Sequence, residues 1–341
     1  MTQYEILLSE LTTSPRRWVV TGAAGFIGSH LVETLLRHGQ TVTGMDNFAT
    51  GTRSNLAQVE KSVSPDDWSR FTLAEADVRD LDACRRALEG ADHVLHQAGI
   101  GSVPLSIEKP REVHDVNVTG FLNMLISAQE HAIGRVVYAS SSSVYGDDAT
   151  MPKVEACLGT PLSPYAASKL MDEVYAATFH ECHGLESAGL RYFNVFGPRQ
   201  DPHGAYAAVI PYWLSLLKKG ATVYINGDGE TTRDFCYVAN VVQANLLAAT
   251  APSEKPLCEA FNVGLGECMT LNELYSWLQR ALSVLDPRVS DAAAVHRDAR
   301  PGDVRHSMAD ISKAKKTLGY SPTHPVAEGL HDAIQWYWDN L

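Results

Sequence analysis

A doubly wound α/β fold is predicted here, a parallel sheet covered on both faces with a smaller C-terminal α/β lobe, and three features of the sequence predict it. Apolar strand-like runs alternate with helical ones through the first half, a glycine-rich turn joins the first such strand to its helix, and the rhythm breaks after Gly197. Near-continuous apolar strands separated by amphipathic helices indicate βαβ units, because a parallel strand is buried on both faces.

Taken in order, "MTQYEILLSELTTSPRR" reads as a short amphipathic helical extension over 1–15. "RWVVTGA" is the first strand, followed by the helical "GSHLVETLLRHG" and the strand "TVTGMD". "HVLHQAG", "RVVYASSS" and "SAGLRYFNVFG" read as further strands, with "NVTGFLNMLISAQEHA" and "SKLMDEVYAATFHECHG" as the helices between them. These make a first domain over 16–196, with a returning segment expected near 234–262, around "RDFCYVANVV". Pro and Gly then become frequent ("GPRQDPHGAY", "NGDGETTRD"), and 197–341 is expected to be mainly a substrate-binding lobe.

Composition narrows the function classes. With 341 residues, 45% hydrophobic and 20% charged, the chain is globular and long enough for a large core. A net charge of −12 argues against general nucleic-acid binding, which needs basic patches, yet it permits an anionic small ligand held by a few arginines. No apolar run approaches the roughly 20 residues a bilayer requires, so no membrane partner is expected. The opening lacks a basic stretch followed by an apolar core, and the six cysteines show no CxxC spacing, so reduced thiols in cytoplasm are expected. "HECH" (His180, Cys182, His183) lacks a second ligand pair, "HVLH" (His93, His96) lies in an apparent buried strand whose alternating residues face opposite ways, and no metal site is predicted.

"VVTGAAGFIGSHL" supplies the first function. Gly22, Gly25 and Gly28 stand between a strand and a helix, where the first allows a tight turn, the second lets a pyrophosphate approach and the third lets the helix pack closely. Backbone N–H groups at Phe26, Ile27 and Gly28, together with the helix dipole, favour phosphates. Asp46 lies eighteen residues beyond Gly28, at the end of the next strand. Its carboxylate suits ribose hydroxyls and repels a 2′-phosphate, which predicts a Rossmann-type site for NAD; Arg53 nearby keeps NADP open. A second pattern, "SPYAASK", sets Tyr165 and Lys169 four positions apart on one helix face. Alone that pair reads as a solvated surface more readily than as chemistry, and its neighbours have to decide.

The ordered series "TGAAGFIG", "DNFATG", "ADVRD", "HQAG", "NVTGFLN", "ASSSSVYG", "SPYAASK", "RYFNVFGPRQ", "NGDGETTRDFCYV" and "PGDVRHSMADISKAKKTLGY" resembles the extended short-chain dehydrogenase/reductase family over nearly the whole chain. Within it, the chain most resembles nucleotide-sugar 4-epimerases, particularly UDP-N-acetylglucosamine 4-epimerases of bacterial surface-polysaccharide synthesis. The resemblance implies that Tyr165 is the acid/base, that Lys169 binds the nicotinamide ribose and favours the phenolate, and that Ser141 bonds the sugar O4. Ser142 and Ser143 are implied sugar contacts, with satisfaction of loose strand-end groups the equal alternative. Along the cofactor, the resemblance implies contacts from Asn47, Asp77, Val78, Gln97, Ala98, Asn117 and Tyr192. On the substrate side it implies Arg233 and Arg300 on the diphosphate, Asp303 on the uridine ribose, Tyr224 and Asn226 near uracil, and Asn194 on the substrate. Gln200, Ala208 and Val209 are candidate companions.

The fate of the sugar once C4 is oxidised depends on further groups. Related 4,6-dehydratases carry an Asp-Glu pair before "VYG", and glucuronate decarboxylases a glutamate in this segment; here Ser142 and Ser143 stand there, so elimination machinery is missing. A 4-epimerase needs neither. Ser307 stands where glucose-restricted epimerases place a tyrosine, leaving room for a 2-acetamido group, so UDP-GlcNAc/UDP-GalNAc is the expected pair. UDP-glucose, the 6-carboxylated UDP-GlcNAcA, and a non-catalytic NAD-binding sensor are the alternatives. Ile100-Gly101 replaces a lysine found in some epimerases, and Leu105 replaces an arginine. A homodimer through two helices of the cofactor domain is implied by the resemblance.

Overall fold

The computed structural model describes residues 1–202, 208–252, 257–298 and 305–341. Seven strands form one sheet: β1 (Arg17–Thr21), β2 (Thr41–Asp46), β3 (Phe71–Glu75), β4 (His93–His96), β5 (Arg135–Ser141), β6 (Ser187–Tyr192) and β7 (Cys258–Val263). Their order is β7-β6-β5-β4-β1-β2-β3, and every pairing is parallel. The order reverses beside β1, where ligands of such sheets gather at the strand ends.

Alternation along the strands feeds two cores. Val20, Leu95 and Val137 face one side, against Leu31, Leu35 and Leu36 of the Phe26–Arg37 helix and Val241 of the Val238–Thr250 helix. Val19, Val94 and Val136 face the other, with Phe121, Met124 and Leu125 of the Gly120–Glu130 helix and Ala176 of the Pro164–His183 helix. Burial on both faces explains why β6 is buried from end to end. A third core gathers Phe196, Trp213, Leu214, Leu274, Leu278, Leu330 and Tyr337 beyond the sheet.

The N-terminal extension is helical over Gln3–Thr13, closed by a reciprocal Thr2–Glu5 capping box, and Leu7 and Leu11 enter the first core. The returning segment differs from expectation in one respect. Around "RDFCYVANVV" the strand is broken in two: Thr232–Arg233 pairs with Met269–Thr270, and Phe235–Tyr237 pairs with Asn194–Phe196, both outside the main sheet. Val238–Thr250 is a helix buried nearly all round, and the strand that rejoins the sheet is β7. A helix with apolar residues on every side has no amphipathic stripe, so its sequence reads like a buried strand.

Candidate active site

The first turn has the shape a pyrophosphate needs. Gly22 holds φ at +66°, and a Cβ there would stand 2.8 Å from the Ala98 nitrogen and 2.9 Å from the Gln97 carbonyl carbon. A Cβ on Gly28 would meet the Gly22 oxygen at 2.0 Å, so the helix packs onto the turn only because that methyl is missing. Gly25 caps the Phe26–Arg37 helix with no side-chain hydrogen bond, which leaves the N–H groups of its first turn to a ligand. Asp46, the last residue of β2, is buried and accepts from the Ala24 N–H at 2.9 Å and the Phe48 N–H at 2.7 Å. Its neighbour Arg53 is bound to Glu75 at 2.6 and 2.7 Å. That pairing withdraws charge from any 2′-phosphate and fits NAD.

Asn47 donates to Asp77 at 2.8 Å. Asp77 is held down to about 2, chiefly by hydrogen bonds from Arg79 and against partial burial. Val78 is buried against Gly120, and its carbonyl accepts from Asn123 at 3.0 Å. Gln97, Tyr192 and Asn245 close a triangle: Tyr192 donates to Gln97 at 3.0 Å, and Asn245 donates to Tyr192 at 2.8 Å while accepting from Gln97 at 3.0 Å. Burial pushes the Tyr192 hydroxyl well above its usual range, so it is a neutral donor. Asn245, on the returning helix, has no local signal in the sequence and is missed there.

The candidate reactive groups sit on two adjoining elements. Ser141 ends β5 and its hydroxyl oxygen accepts from the Ser143 N–H at 3.1 Å, opening the short turn Ser142–Tyr145; Ser142 and Ser143 are half-buried on it. Tyr165 enters on the Pro164–His183 helix, which starts where it does because Ser163 caps it through the Ala166 N–H and Pro164 occupies the first turn. Lys169 lies one turn on, buried, with its ammonium 3.1 Å from Asp172. A Cβ on Gly99 would stand 3.6 Å from Lys169 Nζ and 3.3 Å from Asn117 Oδ1, which brings the lysine beside the end of β4. Asn117 lies in a π-helical turn, Asp115–Thr119, and its amide brackets Ile100, accepting from its N–H at 2.8 Å and donating to its carbonyl at 3.2 Å. It also donates to Ser168 at 3.0 Å. Ile100 therefore engages Asn117 through its backbone alone. Leu105 is half-buried on the Val103–Glu108 helix, and nothing in the structure explains its replacement of an arginine.

A network missed in the sequence locks helix to sheet. Glu173 accepts from Ser140 at 2.6 Å and from Arg191 at 2.7 and 2.9 Å; Arg191 reaches Tyr145 at 3.1 Å, and Tyr145 donates to Asn262 at 2.6 Å. The available signal was Arg191 itself, a charge inside an otherwise uncharged strand, which demands a buried partner. His96, next to Lys169, shares a 2.8 Å hydrogen bond with Thr21 and is pushed down to about 3 by burial and by the Lys169 charge, so it is neutral.

The lobe side is thinner. Asn194 is exposed at the start of a three-residue strand. Gln200 donates to the Val195 carbonyl at 3.0 Å, and its own oxygen is buried without a partner among the described residues. Ala208 is exposed and Val209 half-buried at the start of the Val209–Lys218 helix. Tyr224 lies under Arg297, whose Nε donates to Asn226 at 2.6 Å. Arg233 is half-buried and donates to the Thr232 carbonyl at 2.8 Å. Thr232 bonds Arg305 and His306, which lays half-buried Ser307 along the strand that carries Arg233. Arg300 and Asp303 lie outside the described residues.

The model of the family described as "NAD dependent epimerase/dehydratase family" matches residues 18–264. A putative UDP-glucose 4-epimerase of Methanocaldococcus jannaschii is 35% identical, over 94% of this chain and 98% of that one. Among solved structures, a UDP-N-acetylglucosamine 4-epimerase of Methanobrevibacter ruminantium, in complex with UDP-N-acetylmuramic acid, superposes with a TM-score of 0.86 at 37% identity, covering 96% of this chain and 100% of the other. A Thermus thermophilus UDP-glucose 4-epimerase in complex with NAD gives 0.81 at 33% identity, covering 95% and 100%. A glycine turn without room for a methyl, an aspartate ending β2 and a serine–tyrosine–lysine set at the strand ends thus stand in a chain that belongs to the NAD-dependent epimerase/dehydratase family.

Proposed function

We propose that this NAD-dependent UDP-sugar 4-epimerase interconverts UDP-N-acetylglucosamine and UDP-N-acetylgalactosamine. Bound NAD, which the glycine turn, Asp46 and Lys169 would hold, would supply reversible hydride exchange at C4 of the sugar. The remaining work falls to the chain. Tyr165 takes the 4-hydroxyl proton during oxidation and gives it back during reduction. A free phenol is a weak base at neutral pH, and an adjacent ammonium such as that of Lys169 favours phenolate. Ser141 already accepts the Ser143 N–H, which leaves its own proton to donate to the sugar O4. With serines at 142 and 143, no carboxylate stands ready to eliminate water or assist loss of carbon dioxide.

Asn194, Tyr224, Asn226 and Arg233 hold the nucleotide and sugar, with Arg300 and Asp303 completing the grip. The observation that carries the N-acetyl assignment is Ser307, a small side chain laid beside the Arg233 strand where bulk would exclude an acetamido group. Ala167, Leu170, Met171, Val174, Tyr175 and Thr178 form an apolar stripe on the Pro164–His183 helix, with Met171 and Val174 45% and 59% exposed. A second copy covers this stripe in the homodimer we infer, which sedimentation at micromolar protein checks.

Proton NMR of the purified chain with UDP-GlcNAc, and separately with UDP-glucose, tests the assignment. Conversion of UDP-GlcNAc to a stable mixture with UDP-GalNAc is expected, faster than conversion of UDP-glucose. Turnover of UDP-glucose alone would retain the mechanism and overturn the N-acetyl assignment.

A further inference from the structure

One buried carboxylate has no part in the chemistry above. Asp172 lies three residues after Lys169, and its side chain is 1% exposed. One oxygen meets the Lys169 ammonium at 3.1 Å, and the other is buried with no hydrogen-bond partner among the described residues. A carboxylate kept from water normally has all its oxygens engaged, and a lone ion pair seldom repays its desolvation. Among the described residues, Lys169 is the one cation acting on it. Tyr165, Lys169 and Asp172 also fall at i, i+4 and i+7, one stripe of one helix.

We propose that Asp172 is a positioning residue of this active site: its carboxylate holds the Lys169 ammonium in place and offsets part of the charge that Lys169 exerts on Tyr165. The proposal rests on the roles of Tyr165 and Lys169 given above.

The surroundings leave this pair largely to itself. On the same helix, Glu173 also acts on Asp172, but Arg191 of β6 and Ser140 of β5 already engage it. From β5, Tyr138 faces Asp172 with its hydroxyl pushed far up by burial, so it stays neutral. From β4, His96 faces Lys169 and is neutral. Cys258 of β7 acts on Tyr138, and its thiol is raised by burial. Asp172 itself is pushed up to about 6, by burial first and against the pull of Lys169. It is therefore ionised above about pH 6 and neutral below.

Removing the Asp172 charge lets Lys169 act undiminished. Over about 10 Å of helix, at an effective dielectric of about 20, a unit charge moves a proton equilibrium by about one pH unit. In the NAD-loaded protein, D172N should shift the acid limb of the kcat profile about one unit to lower pH. The gain over the unmutated enzyme should vanish below about pH 6, where Asp172 is already protonated. A profile that only scales up or down at every pH would overturn the proposal and leave an ion pair that merely stabilises the fold. Should D172N fold poorly, D172S removes the charge with a smaller side chain. The unmutated protein offers a further test through its phenolate absorbance, taken as the difference from Y165F. At a fixed pH above about 6, D172N should show more of that absorbance than the unmutated protein, and equal absorbance counts against the proposal. Because this readout needs no sugar, it stands even if the substrate is misassigned, whereas full epimerisation by Y165F would overturn the mechanism itself.

Discussion

The sheet side and the lobe side of the site are built on different principles. At the strand ends polar groups are tied into networks: buried Asp46 accepts two backbone N–H groups, buried Asn117 makes three hydrogen bonds, and Glu173 ties β5, β6 and a helix together. On the lobe side, Asn194 and Tyr224 are exposed, while Arg233 and Ser307 are half-buried on or beside strands of two or three residues. Reaction geometry is thus fixed by buried networks that tolerate little change. In the proposed function, substrate choice falls to side chains that can be exchanged singly, at a cost to stability of about 0.5 kcal/mol or less.

The comparison is broken most directly by removing one hydroxyl. Tyr165→Phe should lower kcat about a thousandfold while leaving the melting temperature and NAD retention unchanged, since the fold hangs on the capping and packing of the helix and not on this phenol. Progress curves by NMR and a thermal melt check both halves; a variant that unfolds would place Tyr165 among the supports and blur the distinction. Next in size is Glu173→Gln, which leaves the buried Arg191 guanidinium without its counter-ion. Breaking such a pair costs about 3 kcal/mol, measurable by urea unfolding. A cost below about 1 kcal/mol would mean that the sheet side is held no more tightly than an exposed surface.

Arg233→Ala probes the opposite side. Losing one charge-assisted hydrogen bond to a diphosphate should raise KM about thirtyfold, with kcat and urea midpoint nearly unchanged. A fall in kcat at constant KM would show that Arg233 acts on the transition state, and the division between the two sides would not hold there.

The same division explains what is legible in the sequence. Glycines that must approach a phosphate, an aspartate ending a strand, and a tyrosine–lysine pair one turn apart are local patterns, because one short segment sets each geometry. The buried networks are not local. Asn245 reaches Gln97 and Tyr192 across the chain, and Glu173 meets Arg191 and Ser140, so only folding brings them together. The helix Val238–Thr250 reads partly as strand because burial on every side erases its periodicity. Asp172 escapes notice because a carboxylate three residues from a lysine looks like any exposed helix pair until both prove buried.

The smallest effect is the most discriminating. Ser307→Tyr introduces bulk at a half-buried position, on a segment that Thr232 holds through Arg305 and His306. A tyrosine there has solvent on one side to turn into, so exclusion of the acetamido group should be partial. The ratio of kcat/KM for UDP-GlcNAc over UDP-glucose should fall about tenfold, with stability unchanged. Ser307→Ala separates space from hydrogen bonding. It keeps the room and removes the hydroxyl, so it should lower kcat/KM for UDP-GlcNAc only a few-fold and leave UDP-glucose unaffected. If tyrosine lowers both substrates equally, position 307 is not a gate. Discrimination at C2 would then have to come from the sheet side, around Ser142 and Ser143, where a change of residue disturbs the catalytic turn itself.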